Sequence, residues 1–175
     1  MLINLSDVFT SEGKQIHMEV PLSMQVFASK MGTFEIKSKS DVALTLTNVE
    51  AGKALIEGTL DLEFATSCDR CLSDVITPMH LDFHRIVFSP ELQVDEQEEE
   101  DTECFMEGYQ LNVETFVYHE ILCSWPAKIL CQEDCKGLCM KCGQNLNVKD
   151  CGCDTFVPDP RMAVIQDIFN ANKEV

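Results

Sequence analysis

Apolar and polar residues alternate with a period of two over much of the first ninety residues, the spacing at which successive side chains of an extended chain face opposite ways. Ile16, Met18 and Val20 alternate within Gln15 to Val20, and Val42, Leu44 and Leu46 do so within Asp41 to Val49, where threonines fill places between. Ala54 to Ala65, with Leu60, Leu62 and Phe64, and Val75 to Phe88, with Met79, Leu81 and Phe83, give a second pair. Such a pattern predicts antiparallel strands with one buried and one wet face. Pro78 lacks the N–H that a ladder needs and predicts an edge or an irregularity in the last strand. Further on the period changes: Val113, Phe116, Val117 and Ile121 recur at helical spacing behind Asn112, a capping residue, and Pro126 stops the helix. Asp159 as cap, Pro160 at the first helical position, and Met162, Ile165, Ile168 and Phe169 on one face predict a C-terminal helix.

These elements define an α+β class: an antiparallel, strand-rich N-terminal part, barrel-like or a sandwich, packed with a few helices and followed by a cysteine-rich zinc module. We read a single domain over 1–175, with a β-rich part at 1–94, an acidic loop at 95–110, a helix at 111–126, the zinc module at 127–157 and a terminal helix at 158–175. The loop carries Asp95, Glu96, Glu98, Glu99, Glu100, Asp101, Glu103 and Glu107, a like-charge run that repels itself and stays solvated. Its functional alternative is to keep a basic partner close or to mimic nucleic-acid phosphates.

Composition narrows the function classes. A chain of 175 residues with 45% hydrophobic content buries a core without staples. Thirteen basic against thirty acidic residues give a formal charge of −17, which opposes diffuse attraction to nucleic acid or an anionic membrane. The first residues, MLINLSDVFTS, show neither the basic start nor the apolar run of a signal peptide, and no apolar stretch is long enough to span a bilayer. The expectation is a cytoplasmic protein in a reducing compartment, where ten cysteines at short spacings read as metal ligands and not as disulfides.

Six of the cysteines fall in CQEDCKGLCMKCGQNLNVKDCGC, from Cys131 to Cys153. Zinc asks for four soft ligands at tetrahedral corners, and a tight turn between sequence-close cysteines supplies two of them. Cys139 and Cys142 have that spacing, with Gly143 free to take a positive φ after the turn. Cys151 and Cys153 are a second pair, since residues i and i+2 of an extended segment point the same way. Cys131 with Cys135, and Cys68 with Cys71, are two more. The preferred assignment makes a local ribbon-like site from Cys139, Cys142, Cys151 and Cys153, and a cross-chain site from Cys68, Cys71, Cys131 and Cys135. The rival draws four ligands from the six C-terminal cysteines and leaves Cys68 and Cys71 as a free dithiol. Cys104 and Cys123 lack close partners and read as non-ligands, Cys123 as a small buried hydrophobe at the end of a helix face.

Closed four-thiolate sites leave zinc no open position for substrate, so the metal is expected to be structural. No P-loop, G-x-G-x-x-G, G-x-S-x-G or H-E-x-x-H motif is present, and the reading is of a non-enzyme. The alternative, a zinc-dependent or thiol-redox enzyme using Cys68 and Cys71, lacks the βαβ context of thioredoxin-like chemistry. His80 and His84 share one strand face and read as polar surface before metal ligands. Arg70, Lys136, Lys141 and Lys149 gather around the cysteines, with Lys128 nearby, and are candidates for RNA or partner contact or for offsetting thiolate charge.

Cys-Asp-Arg-Cys-Leu at 68–72, together with Leu-Cys-Gln-Glu-Asp-Cys-Lys-Gly-Leu-Cys at 130–139, resembles the YceD-like family of bacterial proteins. The likeness continues through Cys142-Gly-Gln-Asn-Leu-Asn147, Cys151-Gly-Cys153 and Asp159-Pro-Arg161, while Met140 stands where many relatives have proline. The resemblance implies a role in accumulation of large-subunit ribosomal RNA and in assembly of that subunit, beside a small zinc-ribbon ribosomal protein. Relatives with a C-x-R-C pair and histidines at the places of Cys131 and Cys135, lacking the downstream four cysteines, support the cross-chain site. The partners it implies are ribosomal RNA, a basic large-subunit ribosomal protein, or both, with no membrane and no small-molecule substrate.

Overall fold

The computed structural model describes residues 1–92 and 105–153. The acidic run from Asp95 to Glu103, Cys104 and the helix expected behind Asp159 lie outside the described residues.

The chain opens with β1 (Leu2–Asn4) and a short helix, α1 (Ser6–Thr10), before a six-stranded antiparallel sheet built on one long strand, β6 (Lys53–Ser67). One edge of β6 pairs along its whole length with β7 (Asp74–Phe88), from Lys53 opposite Phe88 to Ser67 opposite Asp74. Its other edge is divided. Lys53 to Thr59 take β5 (Val42–Glu50), which is extended by β2 (Gln15–Val20). Leu62 to Ala65 take β4 (Gly32–Lys39), which is extended by β3 (Val26–Ser29). The sheet therefore forks into two arms about β6. Beyond it β8 (Met106–Glu107) and β9 (Gln110–Asn112) join β1 in a small three-stranded sheet, and α2 (Val113–Ser124) follows.

The alternation explains which face is inside. Ala54, Ile56, Leu60, Leu62 and Phe64 of β6 are almost fully buried, whereas Thr59, Asp61 and Glu63 between them are exposed. Gly58 takes the place of an inward side chain. A Cβ there would overlap the Ala43 carbonyl oxygen and lie 2.6 Å from the ring of Phe83, its cross-strand partner, so the glycine makes room for an aromatic that covers it.

Helix α2 closes the inner face. The Asn112 side chain accepts a hydrogen bond from the Thr115 N–H at 3.4 Å, capping the helix, and Phe116, Val117 and Ile121 are buried. Glu120, also buried, is met by Arg85 Nε of β7 at 2.7 Å, so the charge is paired and the helix is tied to the sheet. Past its end Trp125 packs among Phe27, Phe34 and Phe64, with centroids 4.5 to 5.2 Å away. Asn48 joins α1 to β5, its Nδ2 donating to the Val8 carbonyl at 2.8 Å and the Glu50 carbonyl at 3.1 Å.

The four expected strands appear as β2, β5, β6 and β7, the helix as α2, and Pro78 lies on β7, which pairs only with β6 among the described residues. Strands β1, β3, β4, β8 and β9 were not anticipated. Among the described residues β2, β3 and β7 each have one neighbour, and no pairing there closes the sheet into a ring. Helix is confined there to five residues in α1 and twelve in α2, so the α+β label holds only in part and the architecture is strand-rich. None of these helices is long and apolar enough to cross a membrane.

Gly58→Ala is expected to lower stability by about 1–3 kcal/mol, because relief of the overlap requires β5 backbone or the Phe83 ring to move. Thermal unfolding checks this, and an unchanged melting temperature would show that the β5–β6 contact is looser than described.

Candidate metal centre

The β6–β7 hairpin does not end in a simple turn. Ser67 and Asp74 are its last paired residues, and Cys68 to Ser73 form a knuckle between them. The Cys68 N–H donates to the Ser73 carbonyl at 2.9 Å, and the Leu72 N–H donates back to the Cys68 carbonyl at 2.9 Å. The same two bonds recur at Cys139, from its N–H to the Gln144 carbonyl at 2.8 Å and from the Gly143 N–H to its own carbonyl at 2.9 Å. Gly143 has the expected positive φ, 72°, and the residue in its place in the first knuckle is Leu72 at φ 58°. Leu72 is the one non-glycine residue with positive φ among the described residues, and its side chain is 66% exposed. The turn dictates the conformation in both knuckles, and only one uses the residue that accepts it without strain.

The segment after α2 is fastened to the first knuckle by the residues between its cysteines. Asp69 donates its N–H to the Ile129 carbonyl at 2.9 Å and accepts the Ile129 N–H on Oδ2 at 2.7 Å. Arg70 donates from its guanidinium Nη1 to the Cys135 carbonyl at 2.7 Å, while its own carbonyl accepts the Leu138 N–H at 3.2 Å. Gly137, at φ 79°, permits that approach, since a Cβ there would stand 3.0 Å from the Arg70 carbonyl oxygen.

Two groups of four sulfurs result, Cys68, Cys71, Cys131 and Cys135 in one and Cys139, Cys142, Cys151 and Cys153 in the other, all within 4.8 Å of one another in each group. Cys68 Sγ is 3.7 Å from Cys135 Sγ, and Cys71 Sγ is 3.5 Å from Cys131 Sγ. A tetrahedron with metal–sulfur distances of about 2.3 Å has edges of about 3.8 Å, so the spacing fits a metal ion, whereas a disulfide needs about 2.05 Å. Both groups could hold a metal, and the soft donor set suits zinc. Cys68, Cys71, Cys135 and Cys139 are buried, and Cys131 and Cys142 are exposed.

The thiols are poised unequally. Burial pushes Cys68 up, but the backbone N–H groups of Cys131, Cys71 and Arg70 outweigh it and bring the thiol down to about 6. The Cys142 and Lys141 N–H groups, helped by the Cys151 side chain, bring Cys139 down to about 6. Ser73 lowers Cys71 through its hydroxyl, 3.2 Å from the sulfur, and its N–H. Cys131, beside the Cys135 and Cys71 sulfurs, is pushed up to about 12, and Cys153, beside Cys151 and Cys142, likewise to about 12. Four thiols so close cannot all ionise until a cation joins them.

Sequence reasoning missed the residues that surround the sulfurs. Asn147 donates from Nδ2 to Cys135 Sγ at 3.2 Å and accepts the Lys136 N–H on Oδ1 at 2.8 Å. Asn145 donates to Ser73 Oγ at 3.4 Å and holds Asn147 through two bonds of 2.9 and 3.0 Å to its Oδ1. In the sequence both asparagines stand between two ligand pairs and within Cys142-Gly-Gln-Asn-Leu-Asn147, a stretch that carries the family likeness without giving their role.

Of the remaining candidates, Lys128, Lys136, Lys141 and Lys149 are exposed, and Arg70 is exposed with one guanidinium nitrogen engaged. His80 pairs with Asp61 at 2.7 Å and His84 with Glu57 at 3.3 Å, and neither joins a metal-compatible group among the described residues. Cys123 stands apart from both sulfur groups but is exposed, correcting the expectation of a buried thiol, because the buried stripe of α2 ends at Ile121.

A family model described as large ribosomal RNA subunit accumulation protein YceD matches residues 56–169, which includes all eight grouped cysteines. The chain is 24% identical over 159 residues to uncharacterised proteins of Mycobacterium bovis and of two Mycobacterium tuberculosis strains, covering 91% of this chain and 73% of each relative. No solved structure matches it significantly.

Leu72→Gly removes a left-handed strain of about 1–2 kcal/mol against a backbone-entropy cost of about 0.5–1 kcal/mol. Stability is expected to rise by up to about 1 kcal/mol, measured by denaturant unfolding, and a clear loss would mean that the Leu72 side chain packs in the free protein.

Proposed function

The chain belongs to the YceD family of large ribosomal RNA subunit accumulation proteins, and on that premise we propose that it supports accumulation of large-subunit ribosomal RNA as a non-enzymatic, zinc-held binding factor for a component of that subunit. The observation that carries this reading is the pair of four-sulfur groups, each able to complete a tetrahedral shell from protein alone. With every corner supplied by cysteine, zinc acts as a cross-link between the hairpin tip and the C-terminal segment and has no position for a substrate.

Charge favours a basic ribosomal protein as the direct partner. The chain carries −17, and filled sites would make it more negative, since each zinc offsets only two of four thiolates. On the outer face of the sheet a groove of about 770 Å³ has Ala43, Gly58 and Thr59 along it and the carboxylates of Glu19, Glu57 and Asp82 around it. Small residues below and acids beside suit lysine and arginine side chains of a basic polypeptide. Ribosomal RNA contact through Arg70, Lys136, Lys141 and Lys149 is the second reading, supported by their gathering at the cysteines. Against it, residues 127–153 hold four lysines beside three carboxylates and six cysteines, a balance that serves charge compensation.

The purified protein is expected to contain two zinc ions per chain by elemental analysis, and in the native state only Cys104 and Cys123 should react with a thiol reagent. Rapid labelling of Cys68 or Cys71 would sink the cross-chain site. In pull-down against large-subunit components, a basic ribosomal protein should be retained and then lost when Glu57 and Asp82 are both changed to lysine. Retention of ribosomal RNA alone, unaffected by that double change, would favour the second reading.

A further inference from the structure

The sulfurs of each group lie within 4.8 Å of one another, yet side chains from the loop of the second group hydrogen-bond to Cys135 Sγ and to Ser73 Oγ beside the first. Residues 143–150 lie between Cys142 and Cys151, two members of the second group, so an ion there ties both ends of this loop to one point. The loop is folded back on itself: Asn145 bridges Leu138, and the Val148 and Lys149 N–H groups both donate to the Asn145 carbonyl at 3.2 Å. From this turn Asn147 reaches Cys135 Sγ at 3.2 Å, and Asn145 reaches Ser73 Oγ, which lies 3.2 Å from Cys71 Sγ. One continuous path, Cys71–Ser73–Asn145–Asn147–Cys135, thus joins two sulfurs of the first group through residues that lie between two members of the second.

Resting on the reading that both groups take metal, we propose that metal binding at the two sites is positively coupled and that Asn145 and Asn147 are the positioning residues that carry the coupling. An N–H donor aimed at a metal-bound thiolate stabilises its negative charge and holds the sulfur in place. With the second site empty, Asn145 and Asn147 must be ordered when the first site fills, at a cost in conformational entropy. With the second site filled, that cost has already been met, and the first site binds more tightly. By linkage the effect is reciprocal: an ion at the first site strengthens binding at the second by the same factor.

The test uses the full chain, reduced and stripped of metal, titrated with cobalt(II) without oxygen. Native mass spectrometry counts chains with zero, one and two ions, and alkylation followed by peptide mapping identifies the occupied group. Coupling requires that the one-ion species stay below its statistical share at half saturation. In Asn147→Ala the first group is expected to bind about 10- to 100-fold more weakly, so that a one-ion species accumulates with Cys139, Cys142, Cys151 and Cys153 protected and the other four alkylated. Ser73→Ala interrupts the path at its other end and should shift the distribution the same way, with far-UV circular dichroism confirming an intact sheet. Changing Cys142 and Cys151 together to serine should weaken the first group comparably. Statistical filling that none of these changes alters overturns the coupling while leaving two metal sites in place. A chain that takes up no cobalt at either group overturns the metal reading itself, and the proposal with it.

Discussion

The uninterrupted pairing of β6 with β7 is the constraint on which the rest depends. Its inner side chains supply the wall against which α2 packs, and its free edge receives both arms of the forked sheet. Its tip is also where Cys68 and Cys71 stand, so the register that buries Ile56 and Leu60 also decides where half of a sulfur group is presented. A slip of one residue would turn the apolar set outward, and the knuckle would lose its mooring to Ile129 and Cys135.

How well the sequence announces each element follows from how plainly it is half-buried. Strands β2, β5, β6 and β7 have one dry and one wet face, and the alternation in Val42, Leu44, Leu46 or Leu60, Leu62, Phe64 reports it directly. Strand β4 is hidden because Gly32 opens it and a register shift between Ile36 and Ser38 breaks its period, while β3 has only four residues in which to show one. Strands β1 and β9 are three residues each, defined by a partner more than a hundred positions away. The cysteine pairs were legible from spacing because tetrahedral ligation needs sulfurs that a short turn brings together. Asn145, Asn147 and Ser73 were not, since a side chain that donates to a sulfur in another part of the chain leaves no periodic mark.

The residues between Cys68 and Cys71 show how a short motif combines roles. Asp69 and Arg70 read as exposed charged residues, and Arg70 invites an intermolecular reading. Yet both anchor the following segment, through Ile129, Cys135 and Leu138. Charge that suggests a ligand in the sequence is here largely spent on bringing two remote parts of one chain together. Beside these charges stand exposed apolar side chains, Leu72 on the first knuckle, Met140 on the second and Val148 on the loop that follows it.

The first sulfur group also spans time. Cys71 and Cys131 are 60 residues apart, and a ribosome adding about 5–20 residues per second takes about 3–12 s to make the second after the first. During that interval the β6–β7 hairpin can already form, and its tip presents two thiols with no partners. Such an intermediate would expose a bidentate soft-metal chelate, and the arrival of Cys131 and Cys135 would decide whether an ion caught there is enclosed or released.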